Sequence, residues 1–132
     1  MTITYQINAT LTAIEMADIF RSSGINRPID DLDRIARMLA NADVLISAWD
    51  GDQPIGLARA ITDYTYCCYL SDLAVCKDYQ KQGIGKELVK VLQAHLGEET
   101  SLLLLSAPTA MEYYPRLGFE QLTNAFLIRR SI

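Results

Sequence analysis

Histidine occurs once in this chain, as His95, and tryptophan once, as Trp49. One imidazole cannot supply the repeated ligands of a typical zinc site. The three cysteines do not repair the shortage, because Cys67, Cys68 and Cys76 lack ligand spacing. No metal is therefore expected. The odd thiol count, with two adjacent residues that would face opposite sides of a strand, implies no disulfide framework. That usage suits a reducing compartment, and cytoplasm is the expected location. A basic excess is also missing. Twelve Lys and Arg stand against 16 Asp and Glu, for a net charge of −4. This argues against nucleic acid, whose phosphates attract basic surfaces. It is compatible with a cationic substrate without proving one. No apolar run approaches the roughly 18 residues needed to cross a bilayer, so no membrane is expected. The start, Met1-Thr2-Ile3-Thr4-Tyr5, has no basic stretch leading into an apolar run. Linkers, repeats and low-complexity segments are absent, and one domain over residues 1–132 is expected.

What is present is an ordinary globular balance, half hydrophobic and about a fifth charged. Ile3 to Ile7 alternates apolar and polar, a strand pattern. Thr12-Ala13-Ile14-Glu15 fits a capping box, and Gly24 is a plausible helix stop. Asp30 and Asp31 precede a second helix, in which Leu32, Ile35, Ala36 and Leu39 keep helical spacing. Val44 to Trp49 and Ile55 to Ile61 read as a hairpin about Asp50-Gly51. A longer strand runs from Cys67 to Val75. From Ile84, the residues Leu88, Val91, Leu92 and Leu96 form a helical stripe that Gly97 ends. Leu102 to Leu105 is a buried strand with Ser106 at its carboxyl end. Ala107 to Arg116 reads as a short helix and Phe126 to Arg129 as a final strand. The order β-α-α-β-β-β-α-β-α-β predicts an α/β domain with one mixed sheet and helices on both faces. The unit from Cys67 to Ser106 should hold a parallel pair with a right-handed crossover.

Two segments carry chemistry. Gln80-Lys81-Gln82-Gly83-Ile84-Gly85-Lys86 lies between a buried strand and an amphipathic helix. A helix start offers unpaired amides and a positive dipole end, and glycines permit close backbone approach, so the segment suits a pyrophosphate. Lys81 and Lys86 would add charge at the rim. A plain strand-to-helix turn is the alternative. A dinucleotide fingerprint would need a third glycine where Leu88 stands, so that reading fails. The second segment is Ala110-Met111-Glu112-Tyr113-Tyr114-Pro115-Arg116-Leu117-Gly118-Phe119. Alone, it could be an amphipathic helix whose aromatics fill a core.

Taken together, flanking one strand–helix–strand unit, these segments resemble two motifs of the GCN5-related N-acetyltransferases. The first is similar to Gln/Arg-x-x-Gly-x-Gly/Ala, with Asp72-Leu73-Ala74-Val75 on the strand before it. The second is similar to Ala-x-x-Phe/Tyr-Tyr-x-x-x-Gly-Phe. The agreement covers about Tyr69 to Phe119; the N-terminal helix pair and the hairpin agree only in order and length.

The resemblance implies a single, mostly antiparallel mixed sheet with a central splayed parallel pair. It implies an N-acetyltransferase that moves an acetyl group from acetyl-CoA to a primary amine by direct attack. Amides of Leu73, Ala74 and Val75 would pair with the pantetheine arm. Amides of Gln80, Lys81, Gln82, Gly83, Ile84, Gly85 and Lys86 would hold the pyrophosphate. The Val75 amide would also polarise the acetyl carbonyl, and Tyr114 would protonate the departing thiolate. The phenol's ordinary pKa near 10 and the thiol's near 8.5 make that proton transfer feasible.

An alkylammonium is neutral in only roughly one molecule in 2,500 at pH 7, so the amine must be desolvated or deprotonated. Asp72 is the best-placed carboxylate for a base; a strand-end carboxylate that binds the substrate cation or caps a turn is the alternative. Asp63 is a second choice. His95, late in a helix, reads as a surface residue, and Cys76 has no evident partner histidine. Two departures stand out. Ala107 occupies a position where many relatives carry asparagine, and Pro115 follows Tyr114. A small-molecule amine is the expected acceptor, framed by the first two helices and Ala60 to Tyr66. Acylation of a protein lysine or N-terminus is the alternative, with a non-catalytic acyl-CoA-binding module and an unrelated nucleotide-binding domain behind it. A homodimer is allowed.

Overall fold

The structure is a computed structural model that describes residues 2–132. Its sheet has five strands in sequential spatial order: β1 (Ile3–Ile7), β2 (Val44–Asp50), β3 (Gln53–Thr62), β4 (Cys67–Val75) and β5 (Ser101–Leu103). All neighbours are antiparallel except β4 and β5, which run parallel.

Helices cover both faces, because each sheet face needs an apolar cover. Helix α3 (Ile84–Leu96) lays Ile84, Leu88, Val89, Leu92 and Leu96 against Val44, Ile46, Ala58, Ala60, Cys68 and Leu70. On the other face, Met16, Ile19 and Phe20 of α1 (Ala13–Ser23) and Ile35 of α2 (Leu32–Ala40) pack on Leu45, Leu57 and Ala74. The capping box is formed as expected. The Thr12 side chain accepts from the Glu15 amide at 3.0 Å, and the Glu15 carboxylate accepts from the Thr12 amide at 2.9 Å. Gly24 closes α1 at φ 84°, a left-handed conformation that favours glycine.

A bulge in β4 decides which way the later side chains point. Arg59 pairs with Asp72 but Ala60 pairs with Leu70, so Ser71 is an extra residue without a partner across the ladder. Cys68 and Leu70 therefore face α3, while Asp72 and Ala74 face α1 and α2. In-out alternation along the strand continues unbroken while the side of the sheet changes.

Three expected elements differ. The buried strand expected over Leu102 to Leu105 is the short β5, Ser101–Leu103, and Leu103 and Leu105 are exposed because no further strand or helix among the described residues covers that edge of the sheet. Phe126 to Arg129 forms no strand; Phe126 and Ile128 are 99% and 98% exposed. Alternation supplies strand propensity, but a strand exists only where a partner edge pairs with it, and β5 offers three residues. The helix expected over Ala107 to Arg116 is a 3-10 turn at Pro108–Ala110 and a four-residue helix, α4 (Tyr113–Arg116). Pro115 lies in the first turn of α4, where its missing N–H costs no helical bond.

Candidate active site

Pairing between β4 and β5 covers only Cys67–Ser101, Cys68–Leu102 and Tyr69–Leu103. Beyond Tyr69 the two segments part, so β4 from Leu70 to Val75 has β3 on one side and no strand on the other. The Cys76 amide donates to Ile55 O at 2.8 Å, toward β3. Amides alternate in direction along an antiparallel ladder, so the Ala74 amide also turns to β3. The amides of Leu73 and Val75 turn into the gap. Of the three amides expected to meet a pantetheine arm, two are free to do so, and Ala74 belongs to the sheet.

The turn after β4 has a similar division. The Gln80 amide donates to Lys77 O at 3.2 Å, and its side-chain nitrogen donates to Val75 O at 2.8 Å and Ser23 O at 3.3 Å. Gln80 thus ties the end of β4 to the end of α1. Lys81 and Gly83 both have positive φ, at 64° and 81°. No side chain caps the start of α3, and its ladder begins with Glu87 N donating to Gly83 O at 3.0 Å. The amides of Ile84, Gly85 and Lys86 are therefore left at the helix end, next to its positive dipole. A Cβ on Gly83 would meet nothing within 4 Å, so the glycine answers the backbone conformation and what approaches from outside, not protein crowding.

Gly85 is different. A Cβ there would run into the hydroxyl of Tyr113. The two glycine-bearing segments are thus in direct contact, an arrangement that neither segment announces alone. Gly85→Ala should displace Tyr113 and weaken coenzyme A affinity, and Gly85→Ala with Tyr113→Phe should recover part of the loss. Equal affinities for wild type and Gly85→Ala in titration calorimetry would dismiss the contact.

Tyr114 lines a cleft of about 970 Å3, together with Leu104, Ser106, Pro108, Leu117 and Phe119. Its ring meets Phe119 edge-on at 5.7 Å and Tyr113 at 5.2 Å. Burial pushes the Tyr114 phenol above its ordinary pKa of 10.0, with Tyr113 adding to the rise, while the Arg27 guanidinium acts in the opposite sense. The phenol is thereby held in the proton-donating form through the neutral range.

Asp72 is buried among cations. Its side chain is 0% exposed. Arg27 Nε donates to one carboxylate oxygen at 2.5 Å, and Arg59 Nε donates to the other. Arg59 also donates to Ser71 Oγ at 3.0 Å and Arg27 to Ser71 O at 2.7 Å. A base needs a lone pair aimed at the amine, whereas both oxygens here hold guanidinium nitrogens. Neither arginine belongs to a motif that the sequence displays. The available signal is Arg59 itself, a charge inside the apolar strand Ile55 to Ile61, which must be paired when buried.

The other named residues lie elsewhere. Asp63 accepts from the amides of Thr65, Tyr66 and Cys67 through one oxygen, and these bonds, Tyr66 first, lower its pKa. It closes the turn before β4. His95 is exposed, with its ring edge-on to Tyr64 at 5.6 Å. Cys76 is half-buried and burial raises its thiol pKa, the opposite of an activated nucleophile. Among the described residues no helix is long and apolar enough to cross a membrane.

Parallel strands whose pairing stops after Tyr69–Leu103, followed by an uncapped helix start, define an α/β fold with free amides at the carboxyl end of its parallel pair. Residues 20–129 match the acetyltransferase (GNAT) domain. The chain belongs to the GNAT acetyltransferase family. It is 25% identical over 133 residues to an uncharacterized N-acetyltransferase, ycf52, of Pyropia yezoensis, covering 86% of this chain and 76% of that protein. It is 38% identical over 68 residues to the chloroplastic GCN5-related N-acetyltransferase 2 of Arabidopsis thaliana. That match covers 50% of this chain and spans 26% of that protein's length. The fold matches a GNAT-family acetyltransferase of Streptococcus pneumoniae TIGR4 with a TM-score of 0.79 and 24% identity, over 98% of this chain and 100% of that one. An aminoglycoside N-acetyltransferase in complex with CoA matches with a TM-score of 0.72 and 16% identity, over 99% and 96% of the two chains.

Proposed function

We propose that the chain transfers an acetyl group from acetyl-CoA to a primary amine of a small molecule, by direct attack. The observation that carries this reading is the break between β4 and β5 after Tyr69, with the α3 amides following the end of β4 and the Tyr113-Tyr114 segment touching Gly85 at that helix start. The Leu73 and Val75 amides would hold the pantetheine arm, and the amides of Ile84, Gly85 and Lys86 the pyrophosphate. The Val75 amide is the donor best placed to stabilise charge developing on the acetyl oxygen. The amine nitrogen attacks the thioester carbon, the C–N bond forms and the C–S bond breaks. Sulfur leaves with the electron pair and takes the Tyr114 proton.

Asp72 serves this site as an anchor for Arg27 and Arg59. With its oxygens occupied, the amine's own proton passes to water, and the protein contributes mainly by positioning the neutral amine. Three free cysteines fit a reducing compartment such as the cytoplasm. A soybean relative, named as a histone acetyltransferase, matches half of this chain and 29% of its own length, and keeps protein lysine as the second reading.

Coenzyme A at about 100 times its dissociation constant should stabilise the fold by about 2.7 kcal/mol in thermal unfolding, with NAD and ATP doing much less. Gly83→Trp should abolish that protection at a stability cost of about 1–2 kcal/mol, the strain of a left-handed conformation. Equal protection by ATP would point to a generic nucleotide site. An amine panel with a thiol readout then separates small amines from lysine peptides.

A further inference from the structure

The Arg27–Asp72–Arg59 cluster holds two cations and one anion. Arg59 is the buried member, with its side chain 8% exposed. Arg27 is not: its side chain is 25% exposed, and it sits in the connection between α1 and α2. It reaches across to the bulge in β4, where Ser71 O and Asp72 hold its guanidinium. That bulge lies just past the last β4–β5 pair, so the groups that hold the guanidinium belong to the stretch of β4 that has no strand beside it on the β5 side. Of its five N–H groups, Nε–H is spent on Asp72 and one each on Asn26 O and Ser71 O. Two N–H groups remain for a ligand. Asp72 neutralises only one of the two arginines, so the cluster presents net positive charge there.

We propose that the acceptor is an aminocarboxylate, a small molecule whose carboxylate is held by Arg27 while its amine is turned toward the thioester. This rests on the acetyl-transfer reading and narrows its substrate class. A planar fork with spare donors matches a carboxylate, and the anchoring by Ser71 and Asp72 presets its orientation. A polycationic acceptor meets like charge at this position, so the cluster selects against it.

The test measures thiol release from acetyl-CoA by the purified full chain. Acceptors are L-amino acids, their carboxamides, spermidine and kanamycin. A carboxamide has the less basic amine, so intrinsic reactivity favours it and preference for the acid must come from the protein. The expected result is a kcat/KM for at least one amino acid some 10- to 100-fold above that for its carboxamide, the factor of a charge-assisted hydrogen bond. Arg27→Gln should bring that ratio to about one through KM for the acid. Arg27→Lys, which keeps the charge without the fork, should fall between. Thermal unfolding of both variants identifies a folding defect, and Arg27→Lys then carries the test. Carboxamides, spermidine or kanamycin acetylated as well as the acids would overturn the inference and leave the acetyl-transfer reading intact. So would Arg27→Gln slowing acid and carboxamide equally, the mark of a purely structural arginine. If coenzyme A protects the fold but no small amine is acetylated, the small-molecule reading itself has failed and the inference falls with it.

Discussion

Tyr114→Phe should lower turnover by about 10² to 10⁴ while leaving acetyl-CoA affinity nearly unchanged. The substitution removes one oxygen and keeps the ring, so the edge-on contacts with Phe119 and Tyr113 survive. The phenol's proton matters only when charge develops on sulfur, which is why kcat and not ground-state binding should move. The direction of the pKa shift adds a second signature. A general acid is active while protonated, and burial pushes Tyr114 upward from 10.0. The wild-type rate should therefore show no loss attributable to Tyr114 until the pH exceeds about 10. Steady-state kinetics over a pH series, with calorimetric affinity for acetyl-CoA, check both points. Turnover of Tyr114→Phe within about threefold of wild type would remove the phenol from the chemistry and make water the proton source.

Asp72→Ala should destabilise the fold by about 3–5 kcal/mol, the usual consequence of leaving a buried cation uncompensated. Arg59 is the residue stranded: its side chain is 8% exposed and its Nε loses its partner. Arg27, with a quarter of its side chain exposed, can find water. A domain of this size has about 5–15 kcal/mol in total, so the melting temperature should fall by on the order of 10 °C or more. Replacing the pair together, as Asp72→Ala with Arg59→Met, should recover much of the loss, because an apolar pair carries no desolvation penalty. Activity of the single variant, measured below its melting temperature, separates anchor from base. A base would cost about 10² to 10⁴ in kcat with stability little changed. An anchor would cost stability first, and would raise KM for the acceptor through the loss of Arg27's orientation. Unaltered melting temperature in Asp72→Ala would contradict the ion-pair account.

Features that depend only on near neighbours along the chain are legible in the sequence. The Thr12–Glu15 capping box, the Gly24 stop and the α3 stripe are local, because capping and helical spacing involve residues three or four apart. The glycine turn is legible for the same reason: Gly83 takes a positive φ that its own position demands. Phe126 to Arg129 shows the limit. Its alternation is a property of the segment, but a strand is a property of two segments, and no edge pairs with this one.

The candidate site divides along the same line. Residues that share one strand or turn, from Leu73 to Lys86, stand out together in the sequence, as does Tyr114 in its motif. Which of their amides are free does not, because Ala74 and Gln80 spend theirs on partners that the sequence does not name. Tyr113 against Gly85 lies beyond sequence reading, as does Arg27 against Asp72, 45 residues apart. The decisive case is Ser71. Cys68, Leu70, Asp72 and Ala74 alternate as one buried face, and nothing in that pattern marks an extra residue. Only pairing with β3 shows that Ser71 has no partner and that the strand turns over there. Sequence by itself therefore determined what helix starts, turns and motifs require of their own residues. Tertiary structure decided where Asp72 points and what neutralises it, because a bulge is defined by the mismatch between two strands and belongs to neither alone.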